Sequence, residues 1–324
     1  MKSISFRTIF IIIFICLVIF AIYKNYKKDE NDTNEPIENE VSTEKIVATD
    51  LRVGIVEFDN INPILSNNKN VQDVSRLIYE PLLTLTEDYR LEPCLAKEWT
   101  RTGDKTYLIK LRENVLWQDG KLFDSSDVEF TINMLKDENI DSVYSYNVSK
   151  IVSIEKVDEF TIRIEIDEED LFFEYNLIFP IMSSKYFTDY NDFVSESKNR
   201  NPVGTGMFYI SETDEYSISL KKNTNWWNIK SKEPILQTIT LNLYKSMNSM
   251  FTDFKNSKVD LFTTSNLNIQ SYIGESGYLK SEYVNRDYYY LALNCNNNIL
   301  TDSGVRRAIA TVINKTDIIK EIYN

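Results

Sequence analysis

The 324-residue chain contains 36 Lys and Arg against 49 Asp and Glu, a formal net charge of -13, and no histidine. The lack of histidine excludes Ser-His-Asp and Cys-His nucleophile systems and His-rich zinc sites. The acidic balance argues against a nucleic-acid partner, because such binding depends on lysine and arginine neutralising phosphates. A hydrophobic content of 43% provides for a sizeable core, and the length predicts about two folding units.

The first predicted element is an apolar segment over residues 9–23, which carries no charged side chain. It is longer than most signal-peptide cores, and no small residues stand where a signal peptidase would cut, so we predict an uncleaved membrane anchor within residues 1–26. Basic residues flank it on both sides, so charge does not determine its orientation. Residues 27–49 are acidic and lack aromatic side chains, which predicts a disordered tether.

From residue 50 onward, strand and helix patterns alternate along the chain, which predicts an α/β fold with mixed sheets. Short apolar or alternating runs bounded by turn residues indicate strands. The predicted strands are residues 51–56, 106–111, 151–157, 160–166, 207–211, 217–220, 235–243 and 288–293. Apolar spacing predicts a helix through Val71 and Val74, one that starts at a capping box from Ser126 to Glu129, and one over residues 303–313.

Three features that often carry chemistry have plainer interpretations in this chain. Gly204 and Gly206 predict a tight turn rather than a dinucleotide loop, because Tyr209 occupies the position of the third glycine. No spacing among the acids singles out two carboxylates for hydrolysis. For any one of the tyrosines at 288–290, composition alone favours core packing over ligand contact. We therefore predict no catalytic residue, no cofactor and no metal site.

Residues 95–130 contain four features in register: Ala96 three positions before Trp99, a strand that ends in Leu-Arg, an aromatic residue before Asp-Gly, and an Asp-Val helix start. Further matches are N-P-V-G-T-G at residues 201–206, K-N-T-N-W-W at residues 222–227 and V-R-R-A-I at residues 305–309. Together these segments resemble the family 5 extracellular solute-binding proteins, the peptide and nickel receptors of ABC importers. The resemblance extends from about residue 51 to the end of the chain.

The resemblance implies a periplasmic-binding-protein-like fold of type II, with mixed sheets in two lobes that close on a ligand. It assigns residues 50–324 to one solute-binding domain with an incomplete second lobe, because family members continue for a further segment. An extended peptide would add to exposed strand edges. The residues expected to contact the ligand are Glu57, Phe58, Tyr146, Tyr288, Tyr290 and Asn294.

Other residues within the resemblance have structural interpretations. We expect Trp99 and Trp117 to fill the interface between a sheet and a helix, and Arg112 to pair with an acid. Cys94 and Cys295 can form a disulfide only if the fold brings them together.

The resemblance also implies a function. It indicates the substrate-binding component of an ABC importer, which captures oligopeptides or a similar small solute outside the membrane and delivers them to the permease subunits. The protein would not be an enzyme. One alternative is a membrane-anchored extracellular sensor that uses the same scaffold, and another is a carboxylate-dependent hydrolase.

Overall fold

The computed structural model describes residues 48–264, 269, 274, 277–283 and 289–323. The predicted anchor, nearly all of the predicted tether and Tyr288 lie outside these residues. Within the described part of the chain, no helix combines the length and the apolar composition needed to cross a membrane.

The described residues contain ten strands and eight α-helices. The strands are β1 (Asp50–Val56), β2 (Leu83–Leu85), β3 (Leu91–Pro93), β4 (Ala96–Gly103), β5 (Thr106–Leu111), β6 (Ile151–Asp158), β7 (Thr161–Ile166), β8 (Phe208–Thr213), β9 (Ser217–Lys222) and β10 (Thr238–Tyr244). The helices are α1 (Lys69–Ser75), α2 (Ser125–Leu135), α3 (Ser145–Val148), α4 (Tyr190–Val194), α5 (Glu196–Arg200), α6 (Met247–Lys255), α7 (Ser303–Val312) and α8 (Lys315–Tyr323). A 3₁₀ turn covers Phe173–Asn176.

One four-stranded sheet has the order β1-β10-β9-β8, with β1 parallel to β10 and the other pairs antiparallel. Helix α6 packs on β1 and β10. The helix and strand β1 lie close together at Gly54, where an added Cβ would lie 2.7 Å from the Met250 sulfur. On its other edge β1 is bridged at Val53 to Leu261, so a described residue borders this strand on each side.

The second four-stranded sheet is antiparallel throughout and has the order β4-β5-β7-β6. Side chains alternate along its central strands, so that Tyr107, Ile109 and Leu111 of β5 are buried. Helix α2 covers this sheet with Val128 and Ile132 on its buried face. A two-stranded ribbon, β2-β3, completes the described sheets.

Helix α2 has its N-cap two residues before Ser126, where the predicted capping box begins. Its N-cap is Asp124, which accepts from the Ser126 N–H at 2.9 Å, and the N3 residue Asp127 accepts from the Asp124 N–H at 3.0 Å. Ser126 therefore lies inside the helix, because the paired carboxylates at 124 and 127 satisfy the first N–H groups. Burial raises the pKa of Asp124, but hydrogen bonds from Ser126 and Lys185 outweigh burial and hold that pKa below its usual value.

Most predicted strands are confirmed, with shifts of a few residues at their ends. The predicted strand at 288–293 is wrong for residues 289–293, which have no strand conformation and pair with no described strand. Alternating aromatic residues favour a strand only where a neighbour supplies backbone partners. The helix predicted at 303–313 is confirmed as α7, and none of its residues is fully buried in the described structure.

Gly204 and Gly206 pack directly on the backbone after helix α1, which explains the tight turn predicted there. The Gly206 N–H donates to the Ile78 carbonyl at 2.8 Å, and the Phe208 N–H donates to Leu77 at 2.9 Å. The Gln118 side chain also holds this turn, because its amide oxygen accepts from the Gly204 N–H at 3.0 Å. Only glycine leaves room for two backbones at this separation.

We predict that Gly204→Ala strongly destabilises the fold. The new Cβ would stand 1.9 Å from the Ile78 carbonyl oxygen, and backbone rather than a flexible side chain would have to move. The expected loss in the free energy of unfolding is about 3 kcal/mol, measured by denaturant titration. Gly103→Ala is the matched control, because its Cβ would meet only Thr106 at 3.6 Å. Equal stability of the two variants would contradict the packing argument.

Candidate functional site

The candidate site lies where β1 and β10 end, because parallel strands present their carboxyl ends at one edge of a sheet. Glu57 follows β1 directly and adopts a left-handed backbone conformation with φ of 58°. Its N–H donates to the carbonyl of Tyr244, the last residue of β10, at 3.1 Å. A glutamate in this conformation is uncommon and is held there by its surroundings.

Two asparagines at the start of helix α1 fix this turn. The Asn68 amide donates to the Glu57 carbonyl at 2.5 Å, and the Asn70 amide donates to the Val56 carbonyl at 3.3 Å. Asn68 also caps α1 by accepting from the Asn70 N–H at 2.8 Å. The end of β1 and the start of α1 therefore form one hydrogen-bonded unit.

Glu57 and Phe58 are the two predicted site residues that the structure places side by side. The Glu57 side chain is exposed, and its carboxylate has no hydrogen-bond or ion-pair partner among the described residues. Phe58 is half-buried against the main core. The pair thus presents an open negative charge beside an anchored aromatic ring, which suits a ligand with an ammonium group.

Three other predicted site residues, Tyr146, Tyr290 and Asn294, lie on later segments of the described chain. Tyr146 lies on helix α3 with 78% of its surface exposed, and Tyr290 is also exposed. The Asn294 side chain accepts locally from the Asn296 N–H at 3.0 Å. Within the described ranges, no hydrogen bond or ion pair joins these three residues to Glu57 or Phe58.

A buried carboxylate that the sequence analysis missed lies at the centre of the fold. Glu80 Oε1 accepts from Trp226 Nε1 at 3.0 Å, and Oε2 accepts from Trp227 Nε1 and the Thr205 hydroxyl, both at 2.8 Å. Burial raises the pKa of Glu80, and these donors together with the nearby Arg112 charge act against that rise. The tryptophan pair at 226–227 was the available signal, but nothing local indicated its partner.

Arg112 does not form the ion pair predicted for it. Among the described residues it has no acid within 4 Å; its Nε donates to the Cys94 carbonyl at 2.5 Å, and its guanidinium stacks 4.4 Å from the Trp227 ring centroid. Its charge lies near Glu80 without direct contact. Burial raises the pKa of the Cys94 thiol. Cys94 and Cys295 are both free, so the fold does not join them in a disulfide.

The structural interpretation of Trp117 is confirmed by its contact with helix α2. Trp117 is buried and donates through Nε1 to the buried carboxylate of Asp127 at 3.0 Å. The same carboxylate accepts from Lys185 at 3.1 Å. Trp99 packs half-buried against the main core.

Comparison with known proteins identifies the family. Residues 90–324 match the family model described as bacterial extracellular solute-binding proteins, family 5 Middle. The chain belongs to this family. Its fold is accordingly the periplasmic-binding-protein fold of type II, as the resemblance implied.

Curated relatives bind different solutes. The nickel-binding periplasmic protein of Escherichia coli is 24% identical over 215 residues, which cover 64% of this chain and 39% of that protein. The oligopeptide-binding protein AppA of Bacillus subtilis is 22% identical over 296 residues, 85% of this chain and 52% of that protein. The chain therefore spans about half the length of these relatives, or less.

Solved structures show the same fold. NikZ from Campylobacter jejuni, in complex with Ni(L-His), has a TM-score of 0.67 at 26% identity and covers 85% of this chain and 55% of that one. AppA from Bacillus subtilis, in complex with a nonapeptide, has a TM-score of 0.68 at 22% identity and covers 83% of this chain and 55% of that one.

We predict that Glu80→Ala costs about 3–5 kcal/mol in the free energy of unfolding, because it strands three buried donors. Glu80→Gln keeps the shape and one acceptor oxygen, so its expected cost is smaller, about 1–2 kcal/mol. Denaturant unfolding measures both. Glu92→Ala, at an exposed glutamate on β3, is the control and should change stability by less than ~0.5 kcal/mol. A Glu80→Ala protein as stable as this control would disprove the role of the network.

Proposed function

We propose that the chain is the substrate-binding component of an ABC importer that captures oligopeptides or a similar small solute outside the membrane and delivers them to the permease subunits. The observation that carries this proposal is the family match over residues 90–324. The likeness to solved binding proteins for a peptide and for Ni(L-His) supports the same class of function. Such a protein binds and releases its ligand without chemical change.

We further propose Glu57 and Phe58 as the first part of the ligand site, with Tyr146, Tyr288, Tyr290 and Asn294 as additional contacts. The support for Glu57 is its unpartnered carboxylate at the common edge of β1 and β10. A peptide ammonium or a lysine side chain is the ligand group that this carboxylate would hold. Ligand contacts that form only after closure would shift the population toward a closed state.

For the N-terminal region we propose a membrane anchor in residues 1–26, a tether in residues 27–49, and a binding domain from residue 50 on the extracytoplasmic side. The support is the uncharged apolar run over residues 9–23 and the acidic composition that follows it. A binding protein must reach its permease to deliver a ligand. A membrane anchor keeps the binding domain at a high effective concentration near the permease.

The full chain in detergent should unfold at a higher temperature when a mixture of tri- to pentapeptides is added. Ligand at a hundredfold excess over its dissociation constant stabilises the native state by about 2.7 kcal/mol. Glu57→Gln retains the side-chain shape and removes the charge, so the peptide-dependent shift should shrink markedly. Calorimetry measures both midpoints.

Two comparisons make this test decisive. Glu92→Gln, at an exposed glutamate on β3, should shift with peptide as the parent does. N-acetylated peptides should reduce the parent's shift to that of Glu57→Gln if the carboxylate holds an ammonium. A parent protein that no peptide stabilises would overturn the peptide proposal, and equal shifts in parent and Glu57→Gln would remove Glu57 from the site.

Deletion of residues 9–23 tests the anchor. The parent chain, expressed in bacteria, should stay in the membrane pellet after an alkaline carbonate wash, whereas the deletion variant should appear in the supernatant. External protease should digest the parent in intact spheroplasts, because the binding domain lies outside. Recovery of the parent in the supernatant would contradict the anchor, and protection from protease would contradict the orientation.

A further inference from the structure

Exposed apolar side chains cluster at one end of the antiparallel sheet. Tyr146 on helix α3 is 78% exposed, and in the segment after β7 the exposed fractions are 62% for Leu171, 69% for Phe172 and 40% for Tyr175. We call these four residues the aromatic patch. Large apolar side chains that stand out from a surface are the usual mark of a protein interface.

The two segments that carry the aromatic patch are fixed to each other. The Asn147 amide donates to the Asn176 carbonyl at 2.9 Å, and the Asp167 N–H donates to the Lys150 carbonyl at 2.9 Å. Phe173 is buried and packs against Tyr107, with 4.9 Å between the two ring centroids. The outward side chains of Leu171 and Phe172 therefore project from a rigid base.

The surroundings of the aromatic patch are strongly acidic. Residues 137–141 and 167–176 contain eight acids and no base. Lys150 pairs with Glu168 at 2.9 Å and Asp170 at 3.3 Å. Arg101 pairs with Glu169 at 2.6 Å. In the described part of the chain, Glu138, Asp141, Asp167 and Glu174 have no ion-pair partner, and Lys105 Nζ donates to the Asp167 carbonyl at 2.7 Å. The segments that carry and border the patch therefore hold more acids than bases, and we call these acids the acidic rim.

An open pocket of about 360 Å³ is lined in part by Ser145 and Ser149, which are close in sequence to Tyr146. Its lining also includes the apolar side chains of Leu135 and Val148, the acids Asp137 and Glu138 and the base Lys136. A lining that combines apolar side chains with carboxylates suits the methylene stem and cationic head of a lysine or arginine.

We propose that the aromatic patch and its acidic rim dock a partner protein through a basic amphipathic segment of that partner. The partner's apolar side chains cover the patch, and its lysines and arginines meet the acidic rim. A membrane surface is a poorer occupant, because anionic headgroups and the rim repel each other. This docking face does not include Glu57 or Phe58. It shares Tyr146 with the proposed ligand contacts, so its test rests on Phe172, which is not one of those contacts.

The test uses the full chain and two probes: a short helical peptide built from Leu and Lys, and the same peptide with Glu in place of every Lys. The parent should bind the Leu/Lys peptide and not the Leu/Glu peptide, with fluorescence anisotropy as the measurement. Phe172→Ser should weaken this binding at least ~10-fold, as expected for loss of a central aromatic contact. Glu174→Lys combined with Asp141→Lys should shift the preference toward the Leu/Glu peptide.

The matched controls lie on the other sheet, in the turn between β8 and β9. Tyr216→Ser removes an aromatic ring that is 67% exposed, and Glu215→Lys reverses an exposed charge. Both controls should bind the Leu/Lys peptide as the parent does. Equal losses in the controls and the patch variants would show only general attraction to an acidic protein and would overturn the proposal.

Two further outcomes would also overturn the proposal. Binding of the parent to phosphatidylserine vesicles that is lost in Phe172→Ser would make the aromatic patch a membrane contact. Self-association of the parent that Phe172→Ser abolishes, measured by analytical ultracentrifugation, would make it an interface between copies of this chain. Thermal unfolding of each variant verifies that the fold is intact.

Discussion

The burial of Glu80 is the constraint on which the described fold depends. Its two oxygens bind segments far apart in the chain: Thr205 in the glycine turn and the tryptophans at 226 and 227. A buried carboxylate is costly unless donors surround it, so these segments must assemble together or not at all. The glycine turn can bring Thr205 to Glu80 because Gly204 and Gly206 allow the turn to pack on the backbone just before Glu80.

Local patterns predicted much of the fold, since they depend on neighbours in the chain. The alternation in Thr106–Leu111 and the repeated apolar spacing in Ser303–Val312 are confirmed at or near the predicted bounds. The N-cap of helix α2 was predicted two residues too late, at Ser126 instead of Asp124, because three adjacent polar residues can each serve as N-cap. Residues 289–293 failed as a strand, because β pairing requires a partner that the sequence of one segment does not specify.

The candidate site was predictable only in part, for the same reason. Glu57 and Phe58 follow a recognisable strand, so their place at its end was foreseeable. Their neighbour Tyr244 could not be predicted, because the parallel pairing of β1 and β10 links residues separated by most of the described chain. Glu80 gave no signal at all, because a single glutamate between apolar residues has the same appearance whether its carboxylate is exposed or buried.

The pairing of Asp50–Val56 with Thr238–Tyr244 also has a consequence for synthesis on the ribosome. The strands of the antiparallel sheet all lie between residues 96 and 166, so their pairing needs no residue beyond that stretch. Strand β1 emerges first yet finds its partner only after residue 244 has been translated. Its unpaired edge is therefore open to wrong partners during elongation.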